Sequence, residues 1–170
     1  MLTLIIGGSG SGKSAFAEAL VQKLPGERIY LATMSASDRE SLRRIARHRR
    51  QRETLGFVTL EQPLRIWEAA VPAGANVLLE DLSNLLANEM FSPVGGGVDA
   101  VRRGLEHLTA CCGNLTVVTN EVFSGGAEYE GDTLSYIKEL AALNRETAAR
   151  ADLAVELVCG LPNVLKGELP

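Results

Sequence analysis

Eight consecutive residues, Gly7-Gly8-Ser9-Gly10-Ser11-Gly12-Lys13-Ser14, stand between the apolar run Leu2 to Ile6 and a helical pattern opening at about Lys13. They meet every fixed position of G-x-x-x-x-G-K-[ST]. The segment demands a buried strand, a tight glycine turn and a helix in immediate succession, which few folds provide. Glycines let successive backbone N–H groups turn inward around an anion with no Cβ in the way. The following helix points its positive end at the same anion. Lys13 would reach the β- and γ-phosphates of a nucleoside triphosphate, and the Ser14 hydroxyl would bind Mg2+. A flexible glycine turn is the plainer alternative, and the strand-loop-helix setting speaks against it.

The rest of the chain repeats the alternation of strand and helix. Strand patterns run from Arg28 to Thr33, Phe57 to Leu60, Val77 to Leu79, Leu115 to Thr119 and, as the last strand, Leu153 to Val158. Helical patterns run from Asp38 to Arg52, Ser83 to Phe91, Val98 to Cys111 and Asp132 to Ala151, with Pro63 suited to the first turn of a further helix carrying Trp67. Strands with apolar interiors, separated by helices, indicate a parallel sheet covered on both faces. The expectation is an α/β fold: one domain over residues 1–170, P-loop NTPase-like, with a mostly parallel sheet and helices on both faces.

With 46% hydrophobic and 22% charged residues among 170, the chain has enough apolar surface for a core and is no disordered segment. A net charge of −4 offers no global attraction to nucleic acid. No apolar run reaches the roughly 20 residues that span a bilayer, and Leu2 to Ile6 is too short for a signal peptide. Cys111, Cys112 and Cys159 lack metal-ligand spacing and read as small buried thiols of a reducing, cytoplasmic setting.

Two further features carry chemistry. Val77-Leu78-Leu79-Glu80-Asp81 places Glu80 and Asp81 at a strand end, where one carboxylate would serve the magnesium site; strand-end geometry favours Glu80, and Asp81 suits a helix cap. Seven of the thirteen arginines lie between Arg39 and Arg52. On a helix, His48 shares a face with Arg44 and Arg52, so like charges crowd that face until an anion arrives. Cations beside an imidazole disfavour its protonation, leaving it neutral as a nucleophile must be. A solvated basic face with an incidental histidine is the competing reading. His107 has no such company and reads as structural.

Together these segments resemble the bifunctional adenosylcobinamide kinase and adenosylcobinamide-phosphate guanylyltransferase family of cobalamin biosynthesis. The resemblance runs from Leu4 to about Gly160. It rests on Gly7 to Ser14, on Ala32-Thr33-Met34, and on Arg44-Ile45-Ala46-Arg47-His48-Arg49 with Arg52. It rests also on Thr59-Leu60-Glu61 with Pro63, Leu78-Leu79-Glu80 with Asn88, Val118-Thr119-Asn120-Glu121-Val122, and Asn144. The chain departs from the family pattern at Glu53 and Phe57, between Tyr136 and Glu146, and from Phe123 to Gly131. The resemblance implies phosphorylation of adenosylcobinamide, then transfer of GMP from GTP through a guanylylated histidine, here His48. It implies nucleotide contacts at Ala32, Thr33, Met34, Arg49, Arg50, Gln51, Arg52 and Glu61, with Ser14 and Glu80 at Mg2+. GTP, and ATP as a further donor, would be substrates beside a corrinoid, and the chain would be a homo-oligomer, a trimer.

Two other readings compete. A P-loop small-molecule or nucleotide kinase would transfer a phosphoryl group with no covalent nucleotide. A nucleotide-dependent switch would need a water-positioning residue and a partner surface, and the sequence offers neither.

Overall fold

The computed structural model describes residues 1–34, 54–125 and 128–170. Among them, seven strands form one sheet. They are β1 (Leu2–Gly7), β2 (Arg28–Ala32), β3 (Val58–Glu61), β4 (Asn76–Glu80), β5 (Asn114–Asn120), β6 (Leu153–Val158) and β7 (Leu161–Lys166). The helices are α1 (Lys13–Gln22), α2 (Leu82–Phe91), α3 (Gly97–Cys111) and α4 (Gly131–Arg150), with a 3-10 turn at Ile66–Glu68. The strand order is β3-β2-β4-β5-β1-β6-β7, parallel throughout except for β7.

This order explains where the helices lie. From β1 the chain runs to β2 through α1, toward one side of the sheet. Later, the chain steps across the sheet the other way, from β4 to β5 to β6, with α2, α3 and α4 between them. Right-handed crossovers in opposite directions must use opposite faces. Two cores result. Ile5, Leu78, Val118 and Val155 pack beneath α1 with Ala17, Leu20 and Val21. Leu4, Leu79 and Val117 pack on the other face with Leu85, Val101, Leu108, Leu140 and Leu143. Each fully buried leucine or isoleucine contributes about 2 kcal/mol of transfer free energy. The α/β expectation, with helices on both faces of a mostly parallel sheet, is met. The reversal of direction falls beside β1, and the carboxyl edge of the sheet there forms the crevice where ligands bind in such folds.

Three expectations change. Leu153–Val158 is not the last strand: β7 follows it, antiparallel, after a two-residue turn at Cys159 and Gly160. Both turn residues have positive φ, 52° and 80°, the form that matches the twist of paired strands. Cys159 is therefore exposed rather than buried, and all three cysteines are unpaired. The expected helix at Pro63 and Trp67 shrinks to the 3-10 turn, because Arg65 adopts a left-handed φ of 48° and breaks the pattern before it starts. Ile66 instead plugs α3 at Gly104, where any Cβ would strike its side chain, and the Arg103 guanidinium lies 4.6 Å from the Trp67 ring centroid. The predicted helix from Asp38 to Arg52 lies wholly outside the described residues.

Candidate functional site

At the end of β1 the chain passes through Gly8 to Gly12 and enters α1 at Lys13. Gly12 precedes the helix with φ 91°, a left-handed conformation natural to glycine. The turn is closed by Ser11 N–H donating to the Gly8 carbonyl at 3.2 Å. It is braced from the side by the β6–β7 hairpin, where Gly160 N–H donates to the Ser11 carbonyl at 2.8 Å. A Cβ on Gly7 would lie 2.5 Å from Ser11 Oγ and 2.8 Å from the Leu157 carbonyl oxygen, so that position too is closed to other residues. The Lys13 side chain bends back over this turn, 8% exposed, and donates to the Gly8 carbonyl at 3.2 Å. Its charge is thus held at the phosphate cradle rather than in solvent.

Ser14 faces β4. Its hydroxyl donates to Glu80 Oε1 at 2.6 Å, while Glu80 Oε2 is shielded from solvent with no hydrogen-bond partner among the described residues. Burial pushes the Glu80 carboxyl up to about 7, against the Ser14 hydroxyl; the Asp81 charge adds to the rise and Lys13 opposes it. Asp81 is occupied differently. It caps α2 by accepting from Asn84 N–H at 2.7 Å, and its other oxygen accepts from Asn120 Nδ2 at 3.2 Å. Burial raises its carboxyl above the usual range, with the Asn84 and Asn120 donors working against that.

A shielded, unpartnered carboxylate oxygen beside a serine hydroxyl at a phosphate cradle suits a hard divalent cation. Among the described residues no cluster of three or more His, Cys, Asp or Glu side chains forms a cage. Mg2+ needs none, since phosphates and water complete its shell.

The buried Glu80 carboxyl makes stability depend on pH. Its folded value of about 7 lies above the ordinary 4.5, so the folded chain binds this proton more tightly than the unfolded chain does. The stabilisation is complete below 4.5 and is lost as pH rises through about 7. Glu80→Gln is therefore more stable than the parent at pH 8, by roughly 2 kcal/mol relative to pH 5, with divalent cations chelated. Denaturant unfolding of both proteins at the two pH values checks this; parallel pH slopes would refute it.

The remaining site candidates separate by burial. Ala32 pairs in register with Glu61 of β3 on one side and Glu80 of β4 on the other. Registered neighbours in a parallel sheet point to one face, so Glu61 and Glu80 flank Ala32 about 10 Å apart at ordinary strand spacing. Glu61 and Met34 are exposed. Thr33 is fully buried: its hydroxyl donates to the Asp81 carbonyl at 2.8 Å and accepts from Asp81 N–H at 2.8 Å. It offers no exposed surface to a nucleotide and fixes the Glu80–Asp81 backbone instead. His48, Arg49, Arg50, Gln51 and Arg52 lie outside the described residues.

The structure adds a network that residue types alone did not reveal. Asn120 donates to Ser83 Oγ at 3.1 Å as well as to Asp81, and Ser83 Oγ accepts from Asn120 N–H at 3.0 Å. Behind it, Thr119 Oγ1 donates to Asn144 Oδ1 at 2.8 Å, so α4 anchors the end of β5. The conjunction of Thr119, Asn120 and Asn144 in the resemblance was the available signal. His107 is exposed on α3, away from these groups.

Comparison with known proteins follows the same outline. A family described as "Cobinamide kinase / cobinamide phosphate guanyltransferase" matches residues 3–165. The bifunctional adenosylcobalamin biosynthesis protein CobP of Pseudomonas aeruginosa is 34% identical over 172 residues, covering 99% of each chain. The CobU proteins of Escherichia coli K12 and Salmonella typhimurium LT2, named as bifunctional in the same way, are 29% and 30% identical. Each covers 95% of this chain and 97% of its own.

Proposed function

The chain belongs to the cobinamide kinase / cobinamide phosphate guanyltransferase family, and from that premise we propose how its residues divide two reactions. It is a nucleotide-dependent kinase and guanylyltransferase of cobalamin biosynthesis. In the first reaction the aminopropanol hydroxyl of adenosylcobinamide attacks the γ-phosphate of a nucleoside triphosphate, ATP or GTP, and the diphosphate leaves. In the second, His48 attacks the α-phosphate of GTP and pyrophosphate leaves. The phosphate of adenosylcobinamide phosphate then displaces His48 and forms adenosylcobinamide-GDP. Splitting the displacement in two is the benefit of a covalent nucleotide.

The observation that carries this reading is the Ser14–Glu80 contact at 2.6 Å beside the glycine cradle, with Glu80 Oε2 unpartnered. Backbone N–H groups of Gly8 to Lys13 would bind the phosphates, and Lys13 would take the charge that develops on the departing group. Ser14 and Glu80 would hold Mg2+, which when bound neutralises charge on the phosphates. Glu61, about 10 Å across the sheet from Glu80, would contact the nucleoside, as would Met34. Arg49, Arg50, Gln51 and Arg52 would contact the triphosphate. The same reading takes residues 1–170 as one domain acting in the cytoplasm as a trimer; among the described residues no helix is long and apolar enough to cross a membrane.

Incubation with α-labelled GTP and Mg2+, followed by denaturation and peptide mapping, tests the covalent step. The expected product is an acid-labile, alkali-stable adduct on the peptide that contains His48. If GTP binds and no adduct forms, the better reading becomes a P-loop kinase without a covalent nucleotide.

A further inference from the structure

Asn88, on α2, joins the chain where it leaves β2 to the chain where it leaves β3. Its side-chain amide donates to the Thr33 carbonyl at 2.7 Å and to the Pro63 carbonyl at 3.0 Å. Thr33 stands between β2 and Met34, and Pro63 follows Glu61 closely after β3. These two strands form one border of the sheet, and β3 is an edge strand of four residues. Their backbone ladder ends where Gln62 N–H donates to the Ala32 carbonyl at 2.9 Å. Past that point the exits are held by α2. Asn88 spans both of them, and the neighbouring Glu89, 2% exposed, accepts from Arg65 N–H at 2.6 Å and Gly96 N–H at 2.8 Å.

A side chain that gives hydrogens to two backbone carbonyls from different strands sets a distance between those strands. Here the distance separates Thr33, next to Met34, from Pro63, two residues beyond Glu61 at the end of β3. Guanine presents two adjacent donors, N1–H and the 2-amino group, and a carboxylate accepts both only when it is correctly placed. Hypoxanthine keeps N1–H and lacks the amino group. We infer that Asn88 is a positioning residue for guanine selection in the guanylyl transfer reaction, holding the end of the edge strand that carries Glu61 against the exit of β2 so that the carboxylate reads both donors. This rests on the reading of Glu61 as a nucleoside contact.

The experiment compares guanylyl transfer from GTP and from ITP in the parent, Asn88→Asp, Asn88→Ala and Glu61→Gln, with ATP-dependent phosphorylation measured on the same preparations. Asn88→Asp keeps the shape, loses both donors and sets a carboxylate against two carbonyls. The expected result is a fall in kcat/KM for GTP of about tenfold or more, mainly through KM, since misplacement by about 1 Å costs up to roughly a hundredfold. The GTP-to-ITP ratio approaches one, while phosphorylation stays within about threefold of the parent. Asn88→Ala shows the same pattern if the aspartate variant folds poorly. Equal losses in both reactions with an unchanged GTP-to-ITP ratio would make Asn88 a structural strut and overturn the inference, as would no change at all. If Glu61→Gln collapses the ratio while the Asn88 variants keep it, the inference fails and the Glu61 reading survives. If Glu61→Gln leaves the ratio intact, or the parent uses both triphosphates equally, both fail together.

Discussion

Lys13→Ala lowers phosphorylation of the corrinoid by about a thousandfold, the loss typical of one preorganised donor aimed at developing charge. Lys13 begins α1 and is 8% exposed, with its ammonium resting on the Gly8 carbonyl at 3.2 Å. The site therefore holds this charge in place before any nucleotide arrives, so little reorganisation is needed when charge moves onto the bridging oxygen. Guanylyl transfer falls too, by about tenfold to a hundredfold, because the same ammonium would sit beside the departing pyrophosphate while bond breaking occurs one phosphate further away. The fold survives, since the glycine turn is closed by Ser11 N–H on the Gly8 carbonyl and by Gly160 N–H on the Ser11 carbonyl. Lys13→Arg does not restore the rate: a planar fork of five donors does not fit a position shaped for a compact ammonium. Initial rates of both reactions with thermal melts decide the matter. Phosphorylation within about fivefold of the parent in a folded Lys13→Ala protein would remove Lys13 from the mechanism.

The glycine loop was readable because its chemistry is local. Eight residues specify backbone N–H groups, a helix start, a charge and a hydroxyl, and tertiary packing has little left to decide. Buried parallel strands were readable for a similar reason, since Leu2–Gly7 and Leu153–Val158 are apolar on both faces but for Thr3 and Glu156. Features settled by distant partners were not readable. Pro63 seemed to open a helix, but its carbonyl is taken by Asn88 and the N–H of Arg65 by Glu89, both from α2. β7 carries Pro162 and is exposed along its length, so its composition looks like a tail. Its signal was the Cys159–Gly160 turn, a two-residue hairpin connection. Asp81 announced itself as a cap, whereas the shielded oxygen of Glu80 depends on how α1 lies over β4. Thr33 matched a family motif, but its burial and its bonds to the backbone at Asp81 were not legible there.

His48→Asn abolishes guanylyl transfer, by about ten-thousandfold or more, and leaves phosphorylation of adenosylcobinamide within about threefold of the parent. Asparagine preserves size and hydrogen bonding but cannot form a phosphoramidate, so the covalent step has no substitute. The asymmetry follows from where each reaction breaks its bond. Phosphorylation acts at the γ-phosphate and draws on the cradle, Lys13, Ser14 and Glu80; guanylyl transfer acts at the α-phosphate, for which the chain must supply a separate nucleophile. The sequence supplies His48 among Arg44, Arg47, Arg49, Arg50 and Arg52. Those cations would hold the anion that the imidazole attacks. A basic surface with an incidental histidine makes a different prediction. Loss of His48 would then weaken both reactions slightly, through KM, and raising the salt concentration would mimic the loss by screening the arginines. Rates of the two reactions, measured separately for parent and variant with each intermediate supplied, distinguish the cases. A His48→Asn protein that still makes adenosylcobinamide-GDP at more than about a hundredth of the parent rate would end the covalent mechanism.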